Sequence, residues 1–205
     1  VNGSFESNTG TSGAATQGAS ASGWTRLDGE GLEVWKNYSG LSAGDGPSAA
    51  ADGVSFIELD VSGGVINGIS QTVSTVAGQT YLLSLDLSSR ESSGRQSDVE
   101  IYWGGNLVAT ARTTVTGWQT FHYTVVGTGG SDELRLIESS ATDDSVGSFL
   151  DNIRLTATPP SFSLTEQTSN GTQVAQAVYA NHLNSVTTLH SNSYSLTNNA
   201  GGRFA

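Results

Sequence analysis

Apolar residues recur at every second position through much of the chain. Tyr81, Leu83, Leu85 and Leu87 alternate with Leu82, Ser84, Asp86 and Ser88, the period of a half-buried strand rather than of a helix. Val99, Ile101 and Trp103 repeat the pattern against Asp98, Glu100 and Tyr102. Gly104-Gly105 follows at once and predicts a tight turn into a further strand over residues 106–109, because glycine accepts the positive φ of two-residue hairpin turns. Shorter alternating runs cover residues 32–36, 56–61, 69–73, 121–126, 134–137 and 149–155. These make about nine or ten short strands divided by Gly, Asp and Ser, with no run of helical period long enough for a crossover helix. The economical packing is an all-β fold, a two-sheet antiparallel β-sandwich of jelly-roll type. The small, polar stretch 7–22 reads as a long loop near the rim.

The pattern breaks near residues 157–160. Every acidic residue but Glu166 lies before the break, and after it come only Glu166, Arg203, His182 and His190 among many Ser, Thr and Asn. Pro159-Pro160 fits neither a helix interior nor a central strand and reads as a stiff connector. The expected organisation is therefore a sandwich over 1–157, then a linker and a truncated or degenerate β segment over 158–205. Phe162, Leu164, Val174, Val178, Leu183 and Val186 fall at uneven intervals in that second part and promise a weak core of its own.

Charge and composition narrow the partners. Nineteen acidic residues against eight basic give a net charge of −11, which argues against nucleic acid or an anionic membrane surface as a partner. No stretch of about twenty apolar residues is present to insert into a bilayer. Calcium and neutral sugars remain compatible with the charge. The absence of cysteine excludes disulfides, thiolate metal sites and thiol nucleophiles, and leaves the redox compartment unread. The chain starts at Val1 without the charged, apolar and cleavage segments of a signal peptide, as expected if a signal was removed or the sequence comes from inside a longer chain.

Asp151 is the most informative side chain. In Phe149-Leu-Asp-Asn-Ile-Arg-Leu155 a two-residue period puts it on the row of Phe149, Ile153 and Leu155, pointing a carboxylate toward the core. A buried carboxylate needs a cation, a cluster of N–H donors or an arginine. Glu6, beside Phe5, poses the same question, and first and last strands of a sandwich often lie close, so the two could share an oxygen-only calcium site; backbone N–H caps or an ion pair are the other readings. Asp45, Asp52, Glu58 and Asp60 form a second acidic run, in which Asp45-Gly46-Pro47 and Asp52-Gly53 read first as turns.

Among the aromatics, Trp24, Trp103, Trp118, Phe121 and Tyr123 sit on or beside apolar rows and read as core. Trp35 and Tyr38 lead into a Gly/Ser/Asp loop, where a ring beside hydrogen-bonding groups could cover the C–H face of a sugar. Arg90 and Arg95 share a polar loop between two well-patterned strands, and Asp86, Glu91 and Asp98 could equally neutralise them. Catalysis has little support: no carboxylate pair stands in a setting that separates two pKa values, His122 alternates toward the polar side, and no G-x-S-x-G or H-E-x-x-H pattern occurs.

Asn2-Gly-Ser-Phe-Glu6, Gly23-Trp24, Asp52-Gly-Val-Ser-Phe-Ile-Glu-Leu-Asp60, Ile69-Ser-Gln71, Gly78-Gln-Thr-Tyr81, Trp118 and Ser148-Phe-Leu-Asp-Asn-Ile153 together resemble galactose-binding-like jelly rolls of bacterial secreted proteins, including carbohydrate-binding modules. The resemblance spans nearly all of residues 1–156. It implies a structural calcium joining the N-terminal segment to the last strand, falling on Glu6 and Asp151 with a backbone oxygen near Asn2 or Ser4. It does not by itself select Trp35, Tyr38, Arg90 or Arg95 as the sugar site. Phe162-Ser-Leu-Thr-Glu166, Gly171-Thr-Gln-Val174 and residues 194–204 resemble a cadherin-like repeat of large bacterial adhesins, although Ala180-Asn-His-Leu-Asn184 stands where its aspartates would be. The expectation is a non-catalytic, calcium-stabilised carbohydrate-binding module of an extracellular or bacterial cell-surface protein, with a glycan or polysaccharide and adjacent domains of a larger secreted chain as partners. The alternative is a structural or protein-binding segment of a surface adhesin.

Overall fold

The alternating rows become strands in a computed structural model that describes residues 2–11, 15–27, 32–36, 45–59, 68–90, 96–139 and 146–159. In chain order they are β1 (Thr16–Ala19), β2 (Thr25–Arg26), β3 (Leu32–Lys36), β4 (Ser55–Glu58), β5 (Gly68–Ser74), β6 (Thr80–Ser88), β7 (Ser97–Trp103), β8 (Asn106–Thr113), β9 (Gln119–Val126), β10 (Ser131–Glu138) and β11 (Phe149–Ala157). Every pairing is antiparallel. A six-stranded sheet runs β1-β3-β4-β11-β6-β9 and a five-stranded sheet β2-β5-β10-β7-β8. The protein is thus an all-β, two-sheet jelly-roll sandwich, and no helix occurs among the described residues.

The inner faces meet in one core. Val34, Ile57, Leu83, Leu85, Leu87 and Leu150 come from the six-stranded sheet, and Ile69, Val99, Ile101, Leu134 and Leu136 from the five-stranded one. Each such side chain, fully buried, contributes roughly 1.5–3 kcal/mol relative to an exposed position. The β7–β8 hairpin turns on Gly104 and Gly105, with φ of 55° and 83°, the double positive φ that matches the twist of its strands.

Three features differ from the sequence pattern. First, the stretch 7–22 is not all loop. It contains β1, which pairs Thr16 with Val34 and Ala19 with Leu32, and an isolated bridge from Asn8 to Ala21. Thr-Gln-Gly-Ala carries no alternation of apolar residues, so pairing rather than period makes the strand. Second, β2 is a two-residue strand in a segment with no periodic signal.

The third difference concerns Asp151. A register shift between Asp151 and Arg154, with Asn152 at φ 52°, breaks the two-residue row of β11. Leu150 and Ile153 face the core, while Phe149 packs in a separate aromatic cluster on the other face of the sheet. Asp151 therefore does not share a row with Ile153, yet it is fully buried.

The N-terminal segment lies against this bulge. Gly3 accepts from the Ile153 amide at 2.9 Å, and a Cβ at Gly3 would lie 1.7 Å from the Ile153 carbonyl oxygen, so only glycine fits. All eleven strands belong to one compact unit, Val1–Thr158. The expected cadherin-like segment from residue 160 onward lies outside the described residues.

Candidate functional site

Register brings four strand ends into one cross-strand row. Glu33 of β3 faces Glu58 of β4, Glu58 faces Phe149 of β11, and Phe149 faces Ser88 of β6. Arg90 follows Ser88 by two residues and turns back over this row.

Glu58 lies at its centre. The side chain is fully buried, and Arg90, with its side chain 26% exposed, donates from Nη1 to Glu58 Oε1 at 2.5 Å. The Gly147 amide donates to the same oxygen at 2.7 Å, and Trp35 Nε1 donates to Oε2 at 3.0 Å. The Arg90 guanidinium also stands 5.4 Å from the centroid of the Trp35 ring, a cation–π contact. Burial pushes the Glu58 carboxyl up to about 8 from 4.5, and the nearby Glu33 adds to the rise; Arg90 and the Gly147 amide oppose it. All three donors can only donate, so the hydrogen bonding suits the carboxylate while desolvation favours the acid. Desolvation and hydrogen bonding thus act on Glu58 in opposite directions.

Neighbouring acids extend the cluster toward the second sheet. Ser148 donates from its amide and from its hydroxyl to Glu138 Oε1, at 3.0 and 2.9 Å. The consecutive residues Gly147 and Ser148 thereby bind carboxylates of opposite sheets, Glu58 of β4 and Glu138 of β10, and close this end of the sandwich. Glu33 is also buried and accepts from Gln17 at 3.4 Å.

Beneath Arg90, aromatics cluster on the outer face of β3, β4 and β11. Trp35 stacks on Phe56 at 6.2 Å with planes 9° apart, and Phe149 meets both rings edge-on at 5.5 and 5.1 Å. Trp118 meets Phe56 edge-on at 5.6 Å and donates from Nε1 to the Ala49 carbonyl at 2.7 Å. Trp35 is only 4% exposed, so it stands differently from the solvent-side ring expected of a sugar platform. Tyr38 and Arg95 lie outside the described residues.

The expected calcium residues gather around one turn. Asp151 Oδ2 accepts from the Ala51 and Asp52 amides at 2.8 and 2.9 Å, and Oδ1 from the Asn152 amide at 2.6 Å. Glu6 Oε1 accepts from the Val54 and Ser55 amides at 2.8 and 2.7 Å. Between them Gly53 has φ 77°, and a Cβ there would lie 2.5 Å from Glu6 Oε1. The two carboxylates thus clasp successive amides of the same 51–55 turn. Burial pushes the Asp151 carboxyl up to about 7 from 3.8 against the pull of its three amide donors, and Asp52 adds a further rise.

Asn2 plays a different part. Its side chain closes a turn by bonding both the amide and the carbonyl of Ser7, while its carbonyl accepts from Trp24 Nε1 at 2.8 Å. No group of three or more His, Cys, Asp or Glu side chains is gathered around a point among the described residues. A hard cation here would have to draw on main-chain oxygens as well as the two carboxylates. Phe5 and Asn152, adjacent to Glu6 and Asp151, both take positive φ, at 53° and 52°. Such strain in non-glycine residues accompanies a fixed aim of their peptide groups.

Of the residues singled out from sequence, Trp35 and Arg90 come together, and so do Glu6 and Asp151 at the same turn. Glu58, the residue that joins Trp35 to Arg90, reads from sequence only as part of an acidic run. The available signal is a lone carboxylate inside the apolar run Phe56-Ile57-Glu58-Leu59.

The sequence matches no family profile and no curated protein. Among solved structures the chain is similar to a family 16 carbohydrate-binding module, at 23% identity over 76% of this chain and 97% of that one, with a TM-score of 0.48. It is also similar to the family 35 module of Paenibacillus barcinonensis, at 18% identity over 71% of this chain and 100% of that one, with a TM-score of 0.46. With the sugar-binding C-terminal domain of EclA the identity is 14%, the TM-score 0.39, and the match spans 42% of this chain and 64% of that one. No helix among the described residues is long and apolar enough to cross a membrane.

Proposed function

We propose that residues 1–158 form a non-catalytic carbohydrate-binding module, stabilised by calcium, of a protein that works outside the cell or on a bacterial surface. The observation that carries the reading is the placement of Arg90, a quarter-exposed guanidinium held from below by a buried carboxylate and an indole. A buried ion pair is a poor device for stability alone, because desolvating both charges offsets much of their attraction. It is a good device for holding a planar fork of donors in one orientation at a surface, which is what a pair of sugar hydroxyls requires. The partners in this reading are a glycan or polysaccharide and the neighbouring domains of a larger secreted chain.

Calcium belongs to the same proposal. Glu6 Oε2 receives no hydrogen bond among the described residues, and Asp151 Oδ1 accepts only the Asn152 amide, so each carboxylate retains capacity for a hard cation. Glu6, Asp151 and main-chain oxygens of the strained segments beside them would hold the ion. When bound, it supplies positive charge where burial otherwise penalises Asp151, and it ties the N-terminal segment to β11. Chelation should lower the melting temperature and added calcium should restore it, as for any ligand of the folded state alone. A melting curve indifferent to both would remove calcium from the account.

A structural or protein-binding segment of a surface adhesin is the second reading. One observation favours it: Trp35, Phe56 and Phe149 are packed against one another on the outer face of β3, β4 and β11 and present no open ring. A broad glycan array, run with and without calcium, separates the two. Calcium-dependent retention of a glycan class supports the module; a blank array together with a blank polysaccharide pull-down supports the adhesin segment.

A further inference from the structure

The five-stranded sheet has an incomplete edge. β2 pairs with β5 at Ile69 and Ser70, and Leu27 bonds Gly68 just beyond it, while residues 71–74 of β5 have no strand beside them on that side among the described residues. Backbone direction along β5 follows from two bonds: the Gly68 carbonyl accepts from Leu27 on the β2 side, and the Thr75 amide donates to Gly130, at the start of β10, on the opposite side. The register with β10 is unbroken from Gly68 to Ser74, so even-numbered residues direct their N–H and C=O groups away from β10. Thr72 and Ser74 therefore aim two donors and two acceptors at the open edge, with no partner among the described residues.

Gly23, at φ 83°, lies in the turn before β2, and Gln71 Nε2 donates to its carbonyl at 2.9 Å. That bond leaves Gln71 Oε1 without a donor, although the residue is only 6% exposed. Thr72 and Ser74 border a groove of about 690 Å³ whose apolar lining is Val73, Tyr81 and Leu155. The size lies in the usual range for small-ligand sites.

We propose that this groove is a second ligand site, distinct from the Arg90 end, for a compact neutral polyhydroxylated ligand such as a hexose or short oligosaccharide. Three features select that chemistry. Among the described residues no charged side chain lines the groove, in a chain of net charge −11. Donors and acceptors alternate within it, and hydroxyls answer both. Val73 and Leu155, both half-buried, offer surface for a C–H face.

An extended peptide added to the edge is disfavoured by length. The open run is bounded by β2 at Ser70 and by the bend where the Val76 amide bonds Tyr81 Oη at 3.0 Å, leaving two outward residues for a ladder.

The test is amide chemical-shift mapping of the full chain with galactose, glucose, mannose and their disaccharides, with glucuronate, glycerol and a neutral Val/Thr peptide alongside. At least one neutral saccharide should shift the Gly23, Thr72 and Ser74 amides saturably. Thr72→Pro removes an outward N–H without touching the β10 ladder, and should weaken the binding read from those shifts at least tenfold; Ser74→Pro serves equally where the first variant does not fold. Arg90→Ala should leave them unchanged, which separates this site from the one at the sandwich end. Silence from every neutral saccharide, equal response to glucuronate or glycerol, response to the peptide alone, or full binding by both proline variants would each overturn the proposal.

Discussion

Asp151 and Glu58 are buried carboxylates of one sheet, on neighbouring strands, and the protein uses them in opposite ways. Asp151 is closed by backbone amides from Ala51, Asp52 and Asn152, and so fixes a turn and a bulge. Glu58 receives one amide, but its other donors are the side chains of Arg90 and Trp35. Backbone donors cannot be redirected without moving the chain, so the Asp151 region is a fixed joint. Side-chain donors connect the buried Glu58 carboxyl to the partly exposed Arg90 guanidinium. The same desolvation raises both pKa values; the donors differ, backbone amides alone at Asp151 and mainly side chains at Glu58.

The largest effect should come from breaking the joint. Asp151→Ala leaves three amides without their acceptor in a buried setting, and the cost should be about 3 kcal/mol or more in chemical denaturation. Loss of less than about 1 kcal/mol would show that the clasp is ornamental to the fold.

Proton linkage sharpens the contrast at intermediate size. Both groups titrate higher in the folded chain than in the unfolded one, so their contribution to stability is fully present at low pH and is lost as pH rises through the folded value. The window runs from 4.5 to about 8 for Glu58 and from 3.8 to about 7 for Asp151. Calcium-free protein should therefore lose stability as pH is raised from about 4 to about 8, at about 1.4 kcal/mol for every tenfold difference in proton affinity between the folded and unfolded chain. Glu58→Gln should delete the part of the profile that ends near pH 8 and keep the part that ends near pH 7. Calcium should flatten only the latter. Identical profiles for the wild type and Glu58→Gln would mean that Glu58 carries no such linkage.

The smallest effect is expected from removing the second region. Truncation after Thr158 should leave a single cooperative transition at a nearly unchanged midpoint, since the eleven described strands of the sandwich precede it. Loss of cooperativity would transfer part of the fold to residues 159–205.

Some of this is legible in the sequence and some is not, for physical reasons. β6 and β7 face core on one side only, so their period of two survives in the residues. β4 buries both faces, as Phe56, Ile57, Glu58 and Leu59 are all enclosed, which erases the period and hides Glu58. Asp151 reads as a carboxylate needing partners, but its row does not, because Asn tolerates the left-handed conformation that makes the bulge and leaves no other trace. Trp35 beside a loop suggests a surface ring; the aromatic neighbours that enclose it, Phe149 and Phe56, lie on other strands and show only in the fold.

The central claim is that Arg90 belongs to a ligand site held by Glu58 rather than to the scaffold. Calorimetric titration of the strongest array glycan into wild type and Arg90→Ala, beside thermal melts of both, tests it directly. The account predicts weak binding by the wild type, roughly micromolar to millimolar, reduced at least tenfold in the variant, with the melting temperature shifted by no more than a few degrees. Unchanged affinity with a large fall in melting temperature would contradict it and return Arg90 to the scaffold.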